Sequence, residues 1–385
     1  MSVRVLAAGV STRAIAESAA RAGFDVVALD AFADRDQHPA VRSVSVSRDF
    51  HVAFSASAVA RAARTIDCDA VAFTSPFENH CRAVEALARG RVLWGNPPAT
   101  LRAVRDPVRL ATIFRRYGVA APAVRVRPAT RGRWLVKPIA SGGGHRVHRW
   151  RGGECLPRGR YLQKFLDGLP GSIVFVGALR HAVPLGISRQ IVGDGRFGAA
   201  GFQYCGSLLA PIDDPQFTSG ARVLQRACTI ATIVAREFGL VGLNTIDFIA
   251  REGVVHPIEV NPRWSASIEL VERAFGVRAF AAHAQACADG TLPGFDVHAA
   301  LRRLSLAVGK AIVFAREDLI AGDTSSWLVR GDIRDVPNPG DHIPAGHPIC
   351  TVFADGRDST ECEAGLVVAA NWIYTHTRVW EQRIA

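Results

Sequence analysis

A mixed α/β and α+β chain is predicted, with a parallel α/β domain first and a small β-rich extension last. Three observations predict it. Short apolar runs alternate with helical patterns through the first hundred residues; strand and hairpin patterns then surround one long helical pattern; beyond about Leu301 the chain turns to short strands rich in Pro and Gly.

The elements follow in order. Val3–Ala7 reads as a strand, Ser11 or Thr12 as a cap for a helix through Ala22, and Phe24–Leu29 as a second strand ending at Asp30. Ala70–Thr74 is another apolar strand, followed by a helix from about Glu78 to Arg89 and a strand at Arg91–Trp94. Such alternation implies a parallel sheet covered on both faces. The turn after the first strand holds Gly9 but no G-x-G-x-x-G, which argues against a dinucleotide site. Gly95-Asn96-Pro97-Pro98 marks the first boundary, so the expected units are 1–98, 99–300 and 301–385. A helical pattern runs from Thr100 to Gly118. Strands are expected at Trp134–Pro138, Tyr161–Phe165, Ser172–Val176 and Pro184–Ile191, and a long helix from Ser219 to Phe238. Leu243–Ala250 and Val254–Val260 form a hairpin around Arg251-Glu252-Gly253.

Composition narrows the class. With 385 residues, 49% hydrophobic and 21% charged, the chain is globular and long enough for two or three domains. No apolar run reaches membrane-spanning length, and the start lacks signal-peptide features. Eight dispersed cysteines without a CxxC point to reduced thiols and a cytoplasmic setting. The formal charge of +11 invites a nucleic-acid partner, but the arginines read as spread along the chain, with no block interleaved with aromatics. An anionic substrate or cofactor accounts for the sign equally well. Lysine is rare: Lys137, Lys164 and Lys310 stand against an arginine background, which marks each as a place for a compact ammonium.

The strongest chemical signal lies in NTIDFIAREGVVHPIEVNPRW. Glu259, Asn261 and Arg263 alternate, so on a strand they share one face. A three-residue loop places Thr245 opposite Glu259 and Asp247 opposite Pro257, which brings Asp247 to that same face. Two carboxylates and an amide oxygen suit magnesium, which takes hard oxygens and leaves positions for phosphate. A salt-bridged surface hairpin is the bland alternative. In WLVKPIASGGGHRV a strand ends at Lys137 and runs into Ser141-Gly142-Gly143-Gly144, where backbone N–H groups can approach phosphate; a flexible turn is the alternative. In YLQKFLDGLPGS, Gln163-Lys164-Phe165-Leu166 form a strand whose backbone could meet an adenine edge, with Phe165 or Leu166 on the base; an ordinary buried strand fits as well. Arg189-Gln190 and Trp264–Ser267 are weaker candidates for contacting substrate, with a surface arginine and a helix cap as their alternatives.

These elements, in this order, resemble the ATP-grasp superfamily from about Thr100 to Gly276. The resemblance implies an ATP-grasp fold and an ATP-dependent, ADP-forming ligase working through an acyl phosphate, with ATP and two Mg2+ (or Mn2+) ions. It implies that Lys137 and Ser141–Gly144 hold phosphates, that Lys164 and Leu166 meet adenine through their backbone, and that Asp247, Glu259 and Asn261 bind metal. Arg263 would steady the transferring phosphoryl group or the substrate carboxylate, with Arg189 on an acidic substrate. Substrates would be a small carboxylic acid and an amine, or less often a thiol, with homodimers common in such enzymes. Gln163 departs from the family's usual Glu. Asp106-Pro107 replaces an Asp-Lys pair, with Arg109 favoured over Arg105 to supply the charge. The tail is similar to the extension of biotin-carboxylase-like members. N-P-R-W-S-A-S is similar to tyramine–glutamate ligase-like proteins of methanofuran-type one-carbon cofactor synthesis. A carboxylating enzyme, a degenerate nucleotide sensor and a nucleic-acid binder stay open as alternatives.

Overall fold

The computed structural model describes residues 3–153 and 155–381. Among these, three sheets of four or more strands set the architecture. The first has five parallel strands in the spatial order Val41–Ser45, Asp25–Asp30, Arg4–Ala8, Ala70–Phe73, Val92–Leu93. The strands Arg4–Ala8 and Ala70–Phe73 are almost wholly buried, as their continuous apolar runs require. The helix Arg13–Arg21 follows Thr12, yet Thr12 does not cap it with its side chain. Its Oγ1 donates to Asp30 Oδ2 at 2.7 Å instead.

The helical pattern of 100–118 is two helices, Pro98–Val104 and Pro107–Arg116. Asp106 separates them: its carboxylate accepts from the Val108 and Arg109 N–H groups, and Pro107 fits the first helical position, where no N–H is needed. The break leaves Arg105 in the corner between helices.

A four-stranded antiparallel sheet comes next, ordered Val124–Arg125, Arg160–Lys164, Trp134–Pro138, His148–Arg149. The largest sheet has eight strands: Val254–Asn261, Gly242–Arg251, Leu169–Ala178, His181–Val192, Tyr204–Leu209, Ala307–Phe314, Pro348–Gly356 and Ile333–Arg334. The tail's strands are therefore not a separate layer. Ala307–Phe314 pairs with Tyr204–Leu209 and carries the sheet outward. Beside the strands of the β-rich extension, the tail also holds a helix, Ser359–Glu381. Its mixture of aromatic and polar positions gives only a weak helical stripe, which is why the pattern did not announce it.

Buried charges tie the parts together. Arg13 donates to Glu269 at 2.6 Å and to Asp335 at 2.9 Å, and Lys310 donates to the other oxygen of Glu269 at 2.6 Å. One carboxylate on the helix Ala266–Phe275 thus meets cations from the first sheet's helix and from the strand Ala307–Phe314 of the large sheet. The eight cysteines are all free. Among the described residues no helix is long and apolar enough to cross a membrane.

Candidate active site

The hairpin Gly242–Arg251/Val254–Asn261 differs from the expected register. The turn has two residues, Glu252 and Gly253, both at positive φ (52° and 76°), the backbone of a tight hairpin turn. From it the ladder runs regularly to Phe248 opposite Pro257, then shifts by one residue, so that Asp247 faces Glu259 and Thr245 faces Asn261. The extra residue is Ile258, beside a proline that has no N–H to give to the ladder. Asp247 and Glu259 share one face, as alternation predicts, through a bulge and a two-residue turn and not through a three-residue loop.

The two carboxylates are treated oppositely. Burial, and then the neighbouring charge of Glu259, push the Asp247 pKa up to about 6. Burial pushes Glu259 up as well, but Arg105, Lys137 and Arg263 outweigh it and hold Glu259 below the usual carboxylate range. Asp247 accepts from Gln190 Nε2 and Asn261 Nδ2, each at 2.9 Å. Arg105 donates to Glu259 and, at 2.7 Å, to the Ser141 carbonyl. Arg109 instead lies over the Phe238 ring, 5.6 Å from its centroid. Of these two arginines it is Arg105, not Arg109, that reaches the site; the helix break at Asp106 decides this.

Lys137 is buried and donates to Gln163 Oε1 at 3.2 Å, while Gln163 Nε2 donates to the carbonyl of the bulged Ile258 at 3.1 Å. Gln163 thus stitches the four-stranded sheet to the hairpin. Arg105, Lys137, Ser141, Tyr161, Gln163 and Glu259 line one cleft between those two sheets. The glycine loop crosses it, with the Gly143 carbonyl accepting from Tyr204 N–H at 3.1 Å. A Cβ on Gly142 would sit 3.6 Å from Ser75 Oγ, 3.8 Å from Glu78 Oε1 and 3.9 Å from Arg263 Nη2, so this loop lies against the first sheet as well.

Arg263 points into the site, but its partner was not foreseen. Nε and Nη2 donate to Glu78 Oε1 at 3.1 and 3.0 Å, and Nη2 reaches Asn261 Oδ1 at 3.3 Å. Glu78 lies in a short turn after the Ala70–Phe73 strand and is fully buried. An acid just past the carboxyl end of a parallel strand was the available signal.

The remaining candidate residues divide between the site and its surroundings. Arg189 is not at the site. Gly171, Arg189 and Phe248 pair in a row, as do Ser172, Ser188 and Asp247, so alternation sends Arg189 to the reverse face, where it pairs with Glu363 of the terminal helix. Its neighbour Gln190 takes the site face. Lys164 has an exposed side chain, and its N–H is spent on the Ala123 carbonyl; the Phe165 N–H is spent on Arg133. Leu166 N–H alone among these is left for a ligand. Phe165 meets Phe202 across the cleft, centroids 6.5 Å apart. Ser265 precedes the helix Ala266–Phe275 without capping it, and its hydroxyl is 3.2 Å from that of Ser267.

Two half-buried carboxylates face to face, with their charges unequally neutralised, fit a hard divalent cation. Asp247 and Glu259 would hold it, with Asn261 beside them. No group of three or more acidic, His or Cys ligands exists among the described residues, so the remaining positions would fall to phosphate and water.

The ATP-grasp domain model matches residues 104–267. No curated protein matches the chain in sequence. Among solved structures the fold is similar to pyruvate carboxylase from Rhizobium etli, with a TM-score of 0.71 and 17% identity over 94% of this chain and 37% of that one. The chain thus spans little more than a third of that protein. It is also similar to L-amino acid ligase from Bacillus licheniformis (TM-score 0.66, 17% identity, 95% of this chain and 96% of that one). A third likeness is the biotin carboxylase domain of 2-oxoglutarate carboxylase from Hydrogenobacter thermophilus, in complex with MgADP and bicarbonate (TM-score 0.68, 14% identity, 93% and 87%). Residues 104–267 therefore match an ATP-grasp domain, and the solved structures share the fold across most of the chain.

Proposed function

We propose that the chain is an ADP-forming ligase that activates a small, amino-acid-like carboxylate as an acyl phosphate and passes the acyl group to an amine. The observation that carries this reading is the half-buried pair Asp247 and Glu259 on one sheet face, converging with Lys137, Arg105 and Arg263 beneath a glycine loop. That set of charges suits a polyphosphate with a divalent cation, and no nucleophilic side chain is needed.

In the first step a substrate carboxylate oxygen attacks the γ-phosphorus, the bond to the β-bridging oxygen breaks, and ADP leaves. Lys137, Arg105 and the N–H groups of the glycine loop hold phosphate oxygens. Leu166 N–H meets the adenine edge. Arg263, kept rigid by Glu78, offsets charge on the transferring group. Magnesium bound by Asp247 and Glu259, with Asn261, would draw charge from the phosphate oxygens. In the second step the amine nitrogen attacks the acyl carbon, the carbon–oxygen bond to phosphate breaks, and the nitrogen loses its proton. Synthesis of a methanofuran-type cofactor is the setting that the N-P-R-W-S-A-S resemblance favours.

Likeness to carboxylases supports a second reading, in which bicarbonate is the carboxylate activated. ADP release measured across amino acids, acid–amine pairs and bicarbonate separates the two. Release that needs an acid and an amine together supports the ligase. Release on bicarbonate alone transfers the reading to carboxylation, and Glu259→Gln with undiminished turnover sinks both.

A further inference from the structure

The chain's excess positive charge is concentrated in one place. Residues 124–164 hold eleven of its 46 lysines and arginines and one of its 35 aspartates and glutamates, so this stretch carries +10 of the formal +11. Basic residues elsewhere are balanced by acids in number; here they are not, although Arg133 at the edge pairs with Asp167.

The stretch is the four-stranded sheet and its loops. Lys137, Tyr161 and Gln163 line the cleft, so alternation turns Trp134, Val136 and Leu162 to the far face, where they pack with Ala129, Trp150 and Leu156. The loops over that small core carry Arg127, Arg131, Arg151 and Arg158, all exposed. Among the described residues none of these four pairs with a carboxylate. The basic surface continues round the edge to the cleft mouth, where Arg133 and Arg149 lie over Phe165, 4.7 and 4.5 Å from its centroid.

We propose that this outer face is a docking surface for a carboxylate-rich polypeptide, whose end it leads to the cleft. The charge of these four loop arginines is not there for the nucleotide, because their loops pack over the small core on the face turned away from the cleft. Guanidinium forks match carboxylates two-to-two, and several in a row suit an extended acidic chain. A single-stranded nucleic acid calls for exposed aromatic platforms. Here Trp134 is buried, Trp150 packs on the small core, and no helix of the sheet stands ready for a groove. A membrane surface calls for apolar anchors; of large apolar side chains, the stretch exposes Val126 and Ile139 alone.

The test is binding of a fluorescent oligoglutamate peptide to the full chain, followed by anisotropy at rising salt. Two variants with the same loss of charge are compared: Arg127, Arg131, Arg151 and Arg158→Ser in the sheet's loops, and Arg42, Arg89, Arg302 and Arg303→Ser elsewhere on the surface. The first should bind about tenfold more weakly, with the second close to the parent and affinity falling steeply with salt. Equal losses in both variants would mean net charge alone is at work and would overturn the proposal. So would tighter binding of a single-stranded RNA, or of phosphatidylserine vesicles, than of the peptide. Because binding needs no turnover, failure here leaves the ligase reading untouched. ADP release on small substrates should be unchanged in both variants.

Discussion

Asp247 and Glu259 stand directly opposite each other because the hairpin ladder gains one residue, Ile258, between them and the turn. Continued without that bulge, the register set at Glu252-Gly253 would pair Asp247 with Ile258 and put Glu259 on the reverse face. A one-residue shift moves every later side chain across the sheet. Glu259→Gln and Asp247→Asn should each lower ADP release by about 100-fold or more, with loss of magnesium dependence. Steady-state assays over a magnesium titration check this; a variant retaining parental rates would remove the pair from the chemistry.

The two ends of the glycine loop should respond differently to a methyl group. A Cβ on Gly144 would lie 1.8 Å from the Phe202 carbonyl oxygen, at a backbone φ of +77°. On Gly142 the nearest atom is 3.6 Å away and the backbone is unstrained. Gly144→Ala should therefore undock the loop and raise the KM for ATP severalfold, while Gly142→Ala stays near the parent. Nucleotide titrations of the two variants side by side would show it.

Arg105 and Arg109 lie four residues apart on either side of the helix break at Asp106 and should not be interchangeable. Removing Arg105 leaves Glu259 and the Ser141 carbonyl without their guanidinium, and we expect about a tenfold weaker KM for ATP in Arg105→Ala. Arg109→Ala should fall within about twofold of the parent. Reversed results would return the site charge to Arg109.

Arg263 and Glu78 join the hairpin to the first sheet by a buried ion pair. Glu78→Ala strands the guanidinium and should cost about 3 kcal/mol of stability, while Glu78→Ala with Arg263→Met should recover part of it. Urea unfolding of the single and double variants measures the coupling. Additive losses would mean the pair is not an energetic unit.

His283 offers a pH dependence that is independent of catalysis. Burial lowers its pKa to about 4, outweighing its contact with the Trp94 carbonyl. Its Nδ1 accepts from Leu243 N–H at 2.9 Å, so the folded protein keeps the ring neutral. Between about pH 6.5 and 4 the unfolded chain takes up a proton that the folded one refuses, so stability is full above 6.5 and falls with pH through that window. The loss is of order 3 kcal/mol. In His283→Gln this part of the pH slope should vanish, as denaturant midpoints across the window would reveal.

The sequence alone determined what is local. Alternation put Glu259, Asn261 and Arg263 on one face whatever the register. Lysine scarcity and the glycine run singled out Lys137 and Ser141–Gly144, and apolar runs separated by helical patterns gave the parallel sheet. Tertiary structure decided what depends on distant partners. The ladder shift at Pro257–Ile258 aligned Asp247 with Glu259, the helix break at Asp106 brought in Arg105, and the strand row with Ser188 turned Arg189 away. Glu78 became Arg263's counterion only when the first sheet docked, since nothing in a chain's local pattern says which buried charge it will meet 185 residues later. Periodicity fixes the direction of a side chain relative to its own strand; pairing and packing between strands far apart in sequence fix what it faces.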